Sequence, residues 1–171
     1  MSYKQKLAGV KTFIFDVDGV LTDGNVYLFQ NEVVRALNSR DGYAMQYAAK
    51  LGYNIYVITG GNSVPVKERL LHLGVTEVFL QSKNKKEVYD QLKEQRELKD
   101  EEILYMGDDI PDYKVLQRVG LSTCPQNAAV EVKQICDYQS PYDGGKYCVR
   151  DVIEQTLRVQ KKWFNSDCFE W

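Results

Sequence analysis

The chain has 171 residues, with 22 Lys and Arg against 24 Asp and Glu, so its formal net charge is −2. Hydrophobic residues make up 44% and charged residues 27%, the composition of a globular domain that can bury a core. The balanced charge lacks the basic surplus with which proteins neutralise nucleic acid or an anionic membrane surface, so we expect neither partner. A typical size of about 150 residues per domain favours one domain over residues 1–171.

The location of the protein is predicted from its cysteines and its apolar segments. The four cysteines contain no CxxC pair, which argues against a zinc ribbon or a redox motif. Residues 1–11 show no continuous apolar stretch, so we expect no secretory signal. No segment approaches the ~20 apolar residues of a membrane span. These features predict reduced thiols in a cytoplasmic protein.

Five short apolar runs, rich in β-branched and aromatic residues, predict strands, and each is followed by a stretch of helical character. The predicted strands are Thr12 to Phe15, Asn54 to Ile58, Glu77 to Leu80, Ile103 to Met106 and Leu121 to Cys124. The predicted helices run from a cap at Asp41 to Leu51, from Asn62-Ser63 to Gly74, from Lys85 to Leu98, from Pro111 to Val119, from Ala128 to Ile135 and from Val149 to Lys161. This alternation is typical of a doubly wound α/β domain with helices on both faces of a parallel sheet.

Two segments stand outside this alternation. Residues 25–38 contain two apolar runs around Gln30-Asn31-Glu32 and predict a β-hairpin inserted between the first strand and the first helix. No cap domain has room to exist, so we expect any lid to be this hairpin or another subunit. The tail, residues 163–171, holds both tryptophans and two of the six phenylalanines, which are costly to leave in water. The tail should dock on its own domain or across a subunit interface, and our hypothesis is that it reaches a neighbouring site.

Carboxylates follow the first and the fourth predicted strands. Asp16 and Asp18 come directly after the first strand, in Asp-Val-Asp-Gly-Val-Leu-Thr, and like charges so close are unfavourable unless a cation offsets them. Asp108, Asp109 and Asp112 come after the fourth, in Gly-Asp-Asp-Ile-Pro-Asp. Because ligand sites in such sheets lie outside the carboxyl ends of the strands, the two segments should meet. Hard oxygen ligands of this kind are what Mg²⁺ prefers.

Two further polar side chains follow the remaining strands. Thr59 ends the second strand, in Ile-Thr-Gly-Gly, and offers a hydroxyl group. Lys85 opens the helix after the third strand and offers a fixed positive charge. Taken alone, each is more often a turn threonine or a solvated lysine, and only their place at the same sheet edge makes them candidates for a site.

In this order, the four strand ends resemble the haloacid dehalogenase-like phosphohydrolase superfamily, through the DxDGVLT and GDDxxD motifs. The resemblance implies a Rossmann-like sheet, Asp16 as nucleophile and Asp18 as general acid and base. It also implies Mg²⁺ held by Asp16, by the Asp18 backbone carbonyl and by Asp108, with Thr59 and Lys85 gripping the phosphoryl group. A dehalogenase would not need the second aspartate, so the motif favours a phosphatase.

Within the superfamily, the small size, the hairpin and the Gly144-Gly145-Lys146 segment resemble the 3-deoxy-D-manno-octulosonate 8-phosphate (KDO 8-phosphate) phosphatases. This implies a KDO 8-phosphate substrate, a place in lipopolysaccharide precursor biosynthesis and a homotetramer in which hairpins and tails cap neighbouring sites. The substrate contacts implied by the resemblance are Asp18, Asn38, Ser39, Arg40, Asp41, Gly42, Gly61, Arg69, Glu77 and Lys85.

Three alternatives remain open at this stage. Many relatives have Arg directly after the Thr-Gly of the second motif, where this chain has Gly61, and a lost Arg removes a bidentate partner for a sugar-acid carboxylate. A related nine-carbon keto-deoxy sugar acid phosphate is therefore the nearest competing substrate. A receiver-type signalling domain also gathers acids, a Thr and a Lys at strand ends, but in a different order along the chain. A non-catalytic assembly domain would have no chemical reason to keep all five polar residues.

Overall fold

Parallel strands and the helices between them form the framework of the protein. The computed structural model describes residues 2–171, apart from the side chain of Asp167. The strands are β1 (Thr12–Phe15), β2 (Tyr27–Leu28), β3 (Val33–Val34), β4 (Asn54–Ile58), β5 (Glu77–Phe79), β6 (Ile103–Met106), β7 (Leu121–Cys124) and β8 (Tyr138–Gln139). The helices are α1 (Tyr3–Leu7), α2 (Ser39–Lys50), α3 (Val64–His72), α4 (Lys85–Arg96), α5 (Tyr113–Leu116), α6 (Val130–Ile135) and α7 (Cys148–Val159).

The main sheet has six strands in the order β5-β4-β1-β6-β7-β8, and all of its pairs are parallel. β1 lies between β4 and β6, and all four of its residues are buried because helices cover both faces of the sheet. Phe13 and Phe15 point into a core shared with α2, α3 and α7, whereas Ile14 points into a core shared with α4, α5 and α6. The predicted doubly wound α/β fold is confirmed.

The first long helix begins earlier than predicted, so the assignment of Asp41 as its cap is wrong. Asn38 is the N-cap, and its side chain accepts hydrogen bonds from the backbone N–H groups of Arg40 and Asp41. Asp41 lies inside α2, where its buried carboxylate accepts hydrogen bonds from the N–H groups of Tyr147 and Arg150 at the start of α7. An aspartate that looks like a local cap therefore joins two helices that are distant in the sequence.

Short elements account for the other differences. Helix α1 and strand β8 were not predicted, because five and two residues are too few to show a period. The helix predicted for residues 111–119 is helical only over Tyr113–Leu116, after a 3₁₀ turn at Ile110–Asp112. The helix predicted from Ala128 begins at Val130.

The predicted hairpin is present, with shorter strands than expected. β2 and β3 pair antiparallel, with Tyr27 opposite Val34 and Leu28 opposite Val33, and together they form a separate two-stranded sheet. Its apolar side chains are exposed, and Leu28 reaches 76% exposure. A two-stranded sheet with so little of its apolar surface covered is only marginally stable by itself, so we expect another surface to cover it.

The aromatic tail docks on α2 of its own chain, one of the two alternatives that the sequence left open. Trp163 meets the Tyr47 ring and Trp171 meets the Tyr43 ring, both edge to face. The Tyr43 hydroxyl donates a hydrogen bond to the Cys168 carbonyl.

All four cysteines are free thiols in the described residues, as predicted. None of the helices in residues 2–171 is long and apolar enough to cross a membrane.

Candidate active site

The loop after β1 brings the first two aspartates to the carboxyl edge of the sheet. Asp16 directly follows the strand, and its N–H donates to the Met106 carbonyl of β6, which ties the two strand ends together. Residues 17–21 then form one wide turn in which Gly19 has a φ of +87°. A β-carbon at Gly19 would lie 2.0 Å from Asp108 Oδ2, so only glycine lets this turn approach the carboxylate that follows β6.

Three carboxylates converge at this edge. Asp16, Asp108 and Asp112 each place an oxygen within 4.8 Å of the others. Within residues 2–171, Asp108 Oδ1 is buried and has no hydrogen-bond donor. A buried acceptor left without a donor is costly, and a cation bound among the three carboxylates would supply its missing partner. The cluster fits a hard divalent ion that is bound through oxygen.

Within the described residues 2–171, Lys85 is the cation that pairs with this cluster. Its Nζ lies 2.7 Å from Asp16 Oδ2 and 2.7 Å from Asp112 Oδ1, and its side chain is only 5% exposed. Asn84 caps α4 and so fixes the turn from which Lys85 extends. Burial alone would lower the pKa of Lys85, but the two carboxylates outweigh it and raise that pKa above its ordinary value. Lys85 therefore stays charged in the site.

One ammonium group does not neutralise three carboxylates, of which Asp16 and Asp112 are buried and Asp108 is partly buried. Burial, followed by the negative charge of Asp112, raises the pKa of Asp16 to about 7 despite the lowering effect of Lys85. Burial and Asp112 likewise raise the pKa of Asp108 to about 7. A divalent cation would favour the ionised forms of both groups, because an opposite charge at close range lowers the pKa of a carboxyl group.

Asp112 is the residue that holds Lys85 in place, a role that the sequence did not suggest. Its carboxylate is fully buried and also accepts hydrogen bonds from the Tyr105 hydroxyl, at 2.6 Å, and from the Asp108 N–H, at 3.2 Å. A β-carbon at Gly107 would lie 2.4 Å from Asp112 Cγ, so the glycine before the acidic pair makes room for it. The signal in the sequence was the GDDxxD spacing, because a turn of this length brings Asp112 back to Asp108.

Arg35 is the second residue that sequence reasoning missed. It follows β3, and its Nε and Nη2 lie 2.6 and 3.2 Å from the two oxygens of Asp18. The Asp18 side chain is 35% exposed and the Arg35 side chain 11%. The available signal was a single cation after the apolar hairpin run, but the sequence could not show that the hairpin folds back over the loop of residues 16–22.

Thr59 and Gly61 complete the cleft at the end of β4. Thr59 is buried, and its Oγ1 accepts a hydrogen bond of 3.1 Å from the Gly61 N–H. A β-carbon at Gly61 would be 3.4 Å from both Arg35 Nη2 and Asp18 Oδ2. The cleft has a volume of about 440 Å³ and is lined by Asp16, Asp18, Gly19, Gly24, Thr59, Gly60, Gly61, Ser82, Lys83, Lys85, Asp108, Asp109, Pro111 and Asp112. The structure thus brings together Asp16, Asp18, Thr59, Gly61, Lys85 and Asp108, as the sequence predicted.

The remaining predicted contacts do not line this cleft. A small cavity of about 80 Å³ at the start of α2 is lined by Asn38, Ser39, Asp41, Gly42 and Arg69. A β-carbon at Gly42 would lie 3.2 Å from Leu73, so this glycine allows α2 to approach the end of α3.

Arg40, Glu77 and Arg69 lie at three different places. The Arg40 guanidinium lies over the Tyr147 ring. Glu77 begins β5 at the amino end of the sheet and pairs with Arg96. Arg69 also lines a groove of about 740 Å³ between the hairpin and α3. Of these three, only Arg69 faces a large open space near the cleft.

The fold and this site define a haloacid dehalogenase-like hydrolase domain, and a family model described as haloacid dehalogenase-like hydrolase matches residues 71–144. The 3-deoxy-D-manno-octulosonate 8-phosphate phosphatase KdsC of Escherichia coli K12 is 34% identical over 158 residues, which cover 92% of this chain and 84% of that protein. The chain belongs to this family of 3-deoxy-D-manno-octulosonate 8-phosphate phosphatases. The receiver-type alternative is therefore wrong.

Solved structures agree with this assignment. A probable YrbI family phosphatase from Pseudomonas syringae pv. phaseolica 1448a matches with a TM-score of 0.91 and 31% identity, over 94% of this chain and 92% of that chain. The phosphatase from Moraxella catarrhalis, solved with magnesium ion, phosphate ion and KDO, matches with a TM-score of 0.90 and 28% identity, over 93% of this chain and 92% of that one. The Rossmann-like sheet predicted from the strand ends is thus shared across the family.

Proposed function

We propose that the protein is a magnesium-dependent phosphatase that hydrolyses 3-deoxy-D-manno-octulosonate 8-phosphate to KDO and phosphate. The observation that carries the proposal is the buried cluster of Asp16, Asp108 and Asp112 around Lys85, at the carboxyl ends of parallel strands. The names of the relatives and the KDO complex of the Moraxella catarrhalis protein support this substrate. The magnesium ion in that same complex supports Mg²⁺ as the cofactor.

The nucleophile in this proposal is the Asp16 carboxylate. The Val17 N–H donates to its Oδ1 at 2.7 Å, and Lys85 lies 2.7 Å from its Oδ2, so the group is held in one orientation. Attack on phosphorus forms an aspartyl phosphate and breaks the bond to the sugar oxygen. Asp16, the Asp18 backbone carbonyl and Asp108 would hold Mg²⁺, which when bound would supply the positive charge that lets one anion approach another.

Asp18 and the groups around the phosphoryl oxygens carry out the remaining steps. Asp18 gives a proton to the departing sugar oxygen and later takes one from the water that cleaves the acyl phosphate, which regenerates Asp16. The Thr59 hydroxyl and the Lys85 ammonium line the cleft and bind the phosphoryl oxygens. Unaided phosphate monoesters hydrolyse so slowly that accelerations up to ~10²¹-fold are known, and division into two steps lowers each barrier.

A nine-carbon keto-deoxy sugar acid 9-phosphate is the competing substrate. Gly61 carries no side chain at the cleft wall, and Arg35 beside it lines the groove of about 740 Å³. This favours a substrate that extends beyond its phosphate, but it does not favour eight carbons over nine. Gly61 and Arg69 are kept as proposed substrate contacts.

We also propose a homotetramer in which the hairpins meet neighbouring subunits. The support is the exposed apolar surface of the hairpin, where Leu28 and Phe29 are 76% and 65% exposed. A site without a cap domain gains from any surface that excludes water. A cytoplasmic location likewise stays a prediction, which the four free thiols of the described residues support.

Phosphate release from three substrates tests the proposed activity. The purified protein is assayed with KDO 8-phosphate, with the nine-carbon sugar acid 9-phosphate and with a neutral pentose 5-phosphate, each with Mg²⁺ or with a chelator. We expect the fastest turnover with a sugar acid phosphate, complete dependence on Mg²⁺, and loss of activity in Asp16→Asn. An Asp90→Asn variant, changed at a half-exposed residue of α4 that pairs with Lys86, serves as the control. A folded protein that releases phosphate from none of the three would favour the assembly-domain alternative.

A further inference from the structure

We propose that Arg35 anchors the carboxylate of the sugar acid, and that it releases Asp18 when it does so. The inference rests on the proposed function, since it concerns the same site. It assigns a specificity role to a hairpin residue that the motifs did not single out. It starts from a conflict in the geometry of the Arg35–Asp18 pair.

The ion pair of Asp18 with Arg35 conflicts with the proposed role of Asp18 as a general acid. Arg35 donates to both Asp18 oxygens, with distances of 2.6 Å from Nε to Oδ1 and 3.2 Å from Nη2 to Oδ2. A carboxylate engaged in this two-pronged way has both of its oxygens occupied as acceptors. Asp18 cannot donate a proton to a leaving oxygen while both of its oxygens accept from Arg35. The pair must therefore open during the reaction.

An anion on the substrate is the group that can draw Arg35 away. Guanidinium groups match carboxylates in a planar, bidentate geometry, so a substrate carboxylate can replace the Asp18 carboxylate with little loss. In the proposed mechanism the phosphoryl group binds to Lys85 and Thr59, in the cleft of about 440 Å³ and not in the groove. The second anion of a sugar acid phosphate, its carboxylate, is the one free to reach Arg35.

The shape of the surface places this exchange at the right point. Arg35 lines the groove of about 740 Å³ between the hairpin and α3, and its Nη2 lies 3.4 Å from the position that a Gly61 β-carbon would take. The guanidinium therefore lies between the phosphoryl cleft and the groove, beside Gly61. The opposite groove wall, formed by residues 62–66 and Arg69, is mostly uncharged, so Arg35 and Arg69 are the cations that a carboxylate there would meet.

This arrangement couples recognition to catalysis. A sugar acid phosphate would occupy Arg35 and free Asp18, whereas a sugar phosphate without a carboxylate would leave Asp18 paired. Discrimination should then be seen in kcat as well as in KM, because the two oxygens of the paired aspartate face Arg35 and not the leaving oxygen. A residue that acts only on folding would change both kinds of substrate alike.

The test is a comparison of two substrates across a small set of variants. kcat and KM are measured for the sugar acid phosphate that the wild type prefers and for a neutral pentose 5-phosphate. The variants are Arg35→Gln, Arg35→Lys, Arg69→Gln and, as the matched control, Arg118→Gln. Arg118 pairs with Asp100 near the amino end of β6, away from the cleft. Thermal unfolding and Mg²⁺ binding are measured for each variant.

We expect Arg35→Gln to lower kcat/KM for the sugar acid phosphate by roughly 10- to 100-fold, the usual effect of a lost charged hydrogen bond. Turnover of the pentose phosphate should rise, because Asp18 is no longer paired. Arg35→Lys, which keeps the charge and loses the fork, should fall between Arg35→Gln and the wild type, and it provides the same comparison if Arg35→Gln fails to fold. Arg118→Gln should match the wild type with both substrates.

Three results would overturn the proposal. An equal loss with both substrates would mean that Arg35 serves only to hold the site together. Unchanged preference in Arg35→Gln would mean that Arg35 makes no contact with the carboxylate. Preference lost in Arg69→Gln but kept in Arg35→Gln would assign the anchor to Arg69. Failure of the proposed function itself is recognised separately, since the wild type would then hydrolyse neither sugar acid phosphate.

Discussion

Lys85 stands midway between Asp16 and Asp112, with its Nζ 2.7 Å from an oxygen of each. One carboxylate is the proposed nucleophile and the other is a fully buried residue with no place in the predicted chemistry. The ammonium group therefore links the reacting residue to the interior, and its position depends on Asp112. The first prediction follows from this link.

Asp112→Asn should reduce both activity and stability. The amide cannot balance the charge of Lys85, and a buried pair broken on one side costs about 3–5 kcal/mol. We expect the free energy of unfolding in urea to fall by about that amount, and kcat to fall by more than about 10-fold because Lys85 loses its fixed position. Asp90→Asn, at a half-exposed residue of α4 that pairs with Lys86, is the control. A variant with full kcat would contradict the positioning role of Asp112.

Gly19→Ala should disrupt the metal site through direct overlap. The new β-carbon would lie 2.0 Å from Asp108 Oδ2, in addition to the strain of a φ of +87°. Gly52→Ala is a matched control, because Gly52 has the same φ and no described atom lies within 4 Å of its β-carbon position. We expect Gly52→Ala to cost about 1 kcal/mol and to keep its activity. Gly19→Ala should lose Mg²⁺ affinity, measured by calorimetry; equal behaviour of the two variants would count against the overlap.

Stabilisation by Mg²⁺ should increase with pH between about 5.5 and 8. Burial and neighbouring carboxylates raise the pKa values of Asp16 and Asp108 to about 7, from 3.8. For a carboxyl group with a raised pKa, the contribution to stability is present at low pH and is lost as the pH rises toward about 7. The metal-free protein should therefore become less stable over this range, while the ionised carboxylates bind Mg²⁺ more tightly.

The measurement for this third prediction is the difference in melting temperature with Mg²⁺ and with a chelator at several pH values. The difference should be small near pH 5.5 and largest at pH 8. In Asp108→Asn the dependence on pH should weaken, since one of the two titrating ligands is gone. A difference that stays constant across the range would contradict the assigned ligands.

Asp41→Ala should lower stability and leave the metal site intact. Asp41 accepts hydrogen bonds from the N–H groups of Tyr147 and Arg150, at 3.3 and 2.8 Å, and thereby joins α2 to the start of α7. Loss of these bonds should cost about 1–3 kcal/mol in urea unfolding, with Mg²⁺ affinity unchanged. The exposed Glu131→Ala serves as the control. Wild-type stability with a raised KM would instead favour the substrate contact implied by the family resemblance.

Leu28→Asp should change the oligomeric state without unfolding the subunit. Leu28 is 76% exposed on the hairpin, so within one chain the substitution removes little packing. If neighbouring subunits cover the hairpin, a buried charge there should dissociate the assembly. Light scattering at several concentrations measures the mass. Val130→Asp, at a comparably exposed residue of α6, should keep the wild-type mass.

The features that could be predicted from the sequence are those whose pattern lies in consecutive residues or in the order of the strands. The β1 strand and its buried residues were readable because a run with apolar residues on both faces is typical of a strand covered on both sides. Asp16, Asp18, Thr59, Lys85 and Asp108 were readable because the carboxyl ends of parallel strands meet at one edge, so order along the chain implied proximity. Hairpin β2–β3 was readable from its apolar runs and its polar turn.

The partners of buried groups, and of groups in segments that fold back over the chain, became visible in the tertiary structure. Asp41 looked like a local helix cap, and the packing of α2 on α7 gave its carboxylate to a distant helix. Asp112 became the partner of Lys85 because the turn after β6 brings it back under Asp108. Arg35 became the partner of Asp18 because the hairpin returns over the loop after β1. For Asp41 and Arg35 the contact depends on how distant elements pack in three dimensions, about which sequence spacing carries no information.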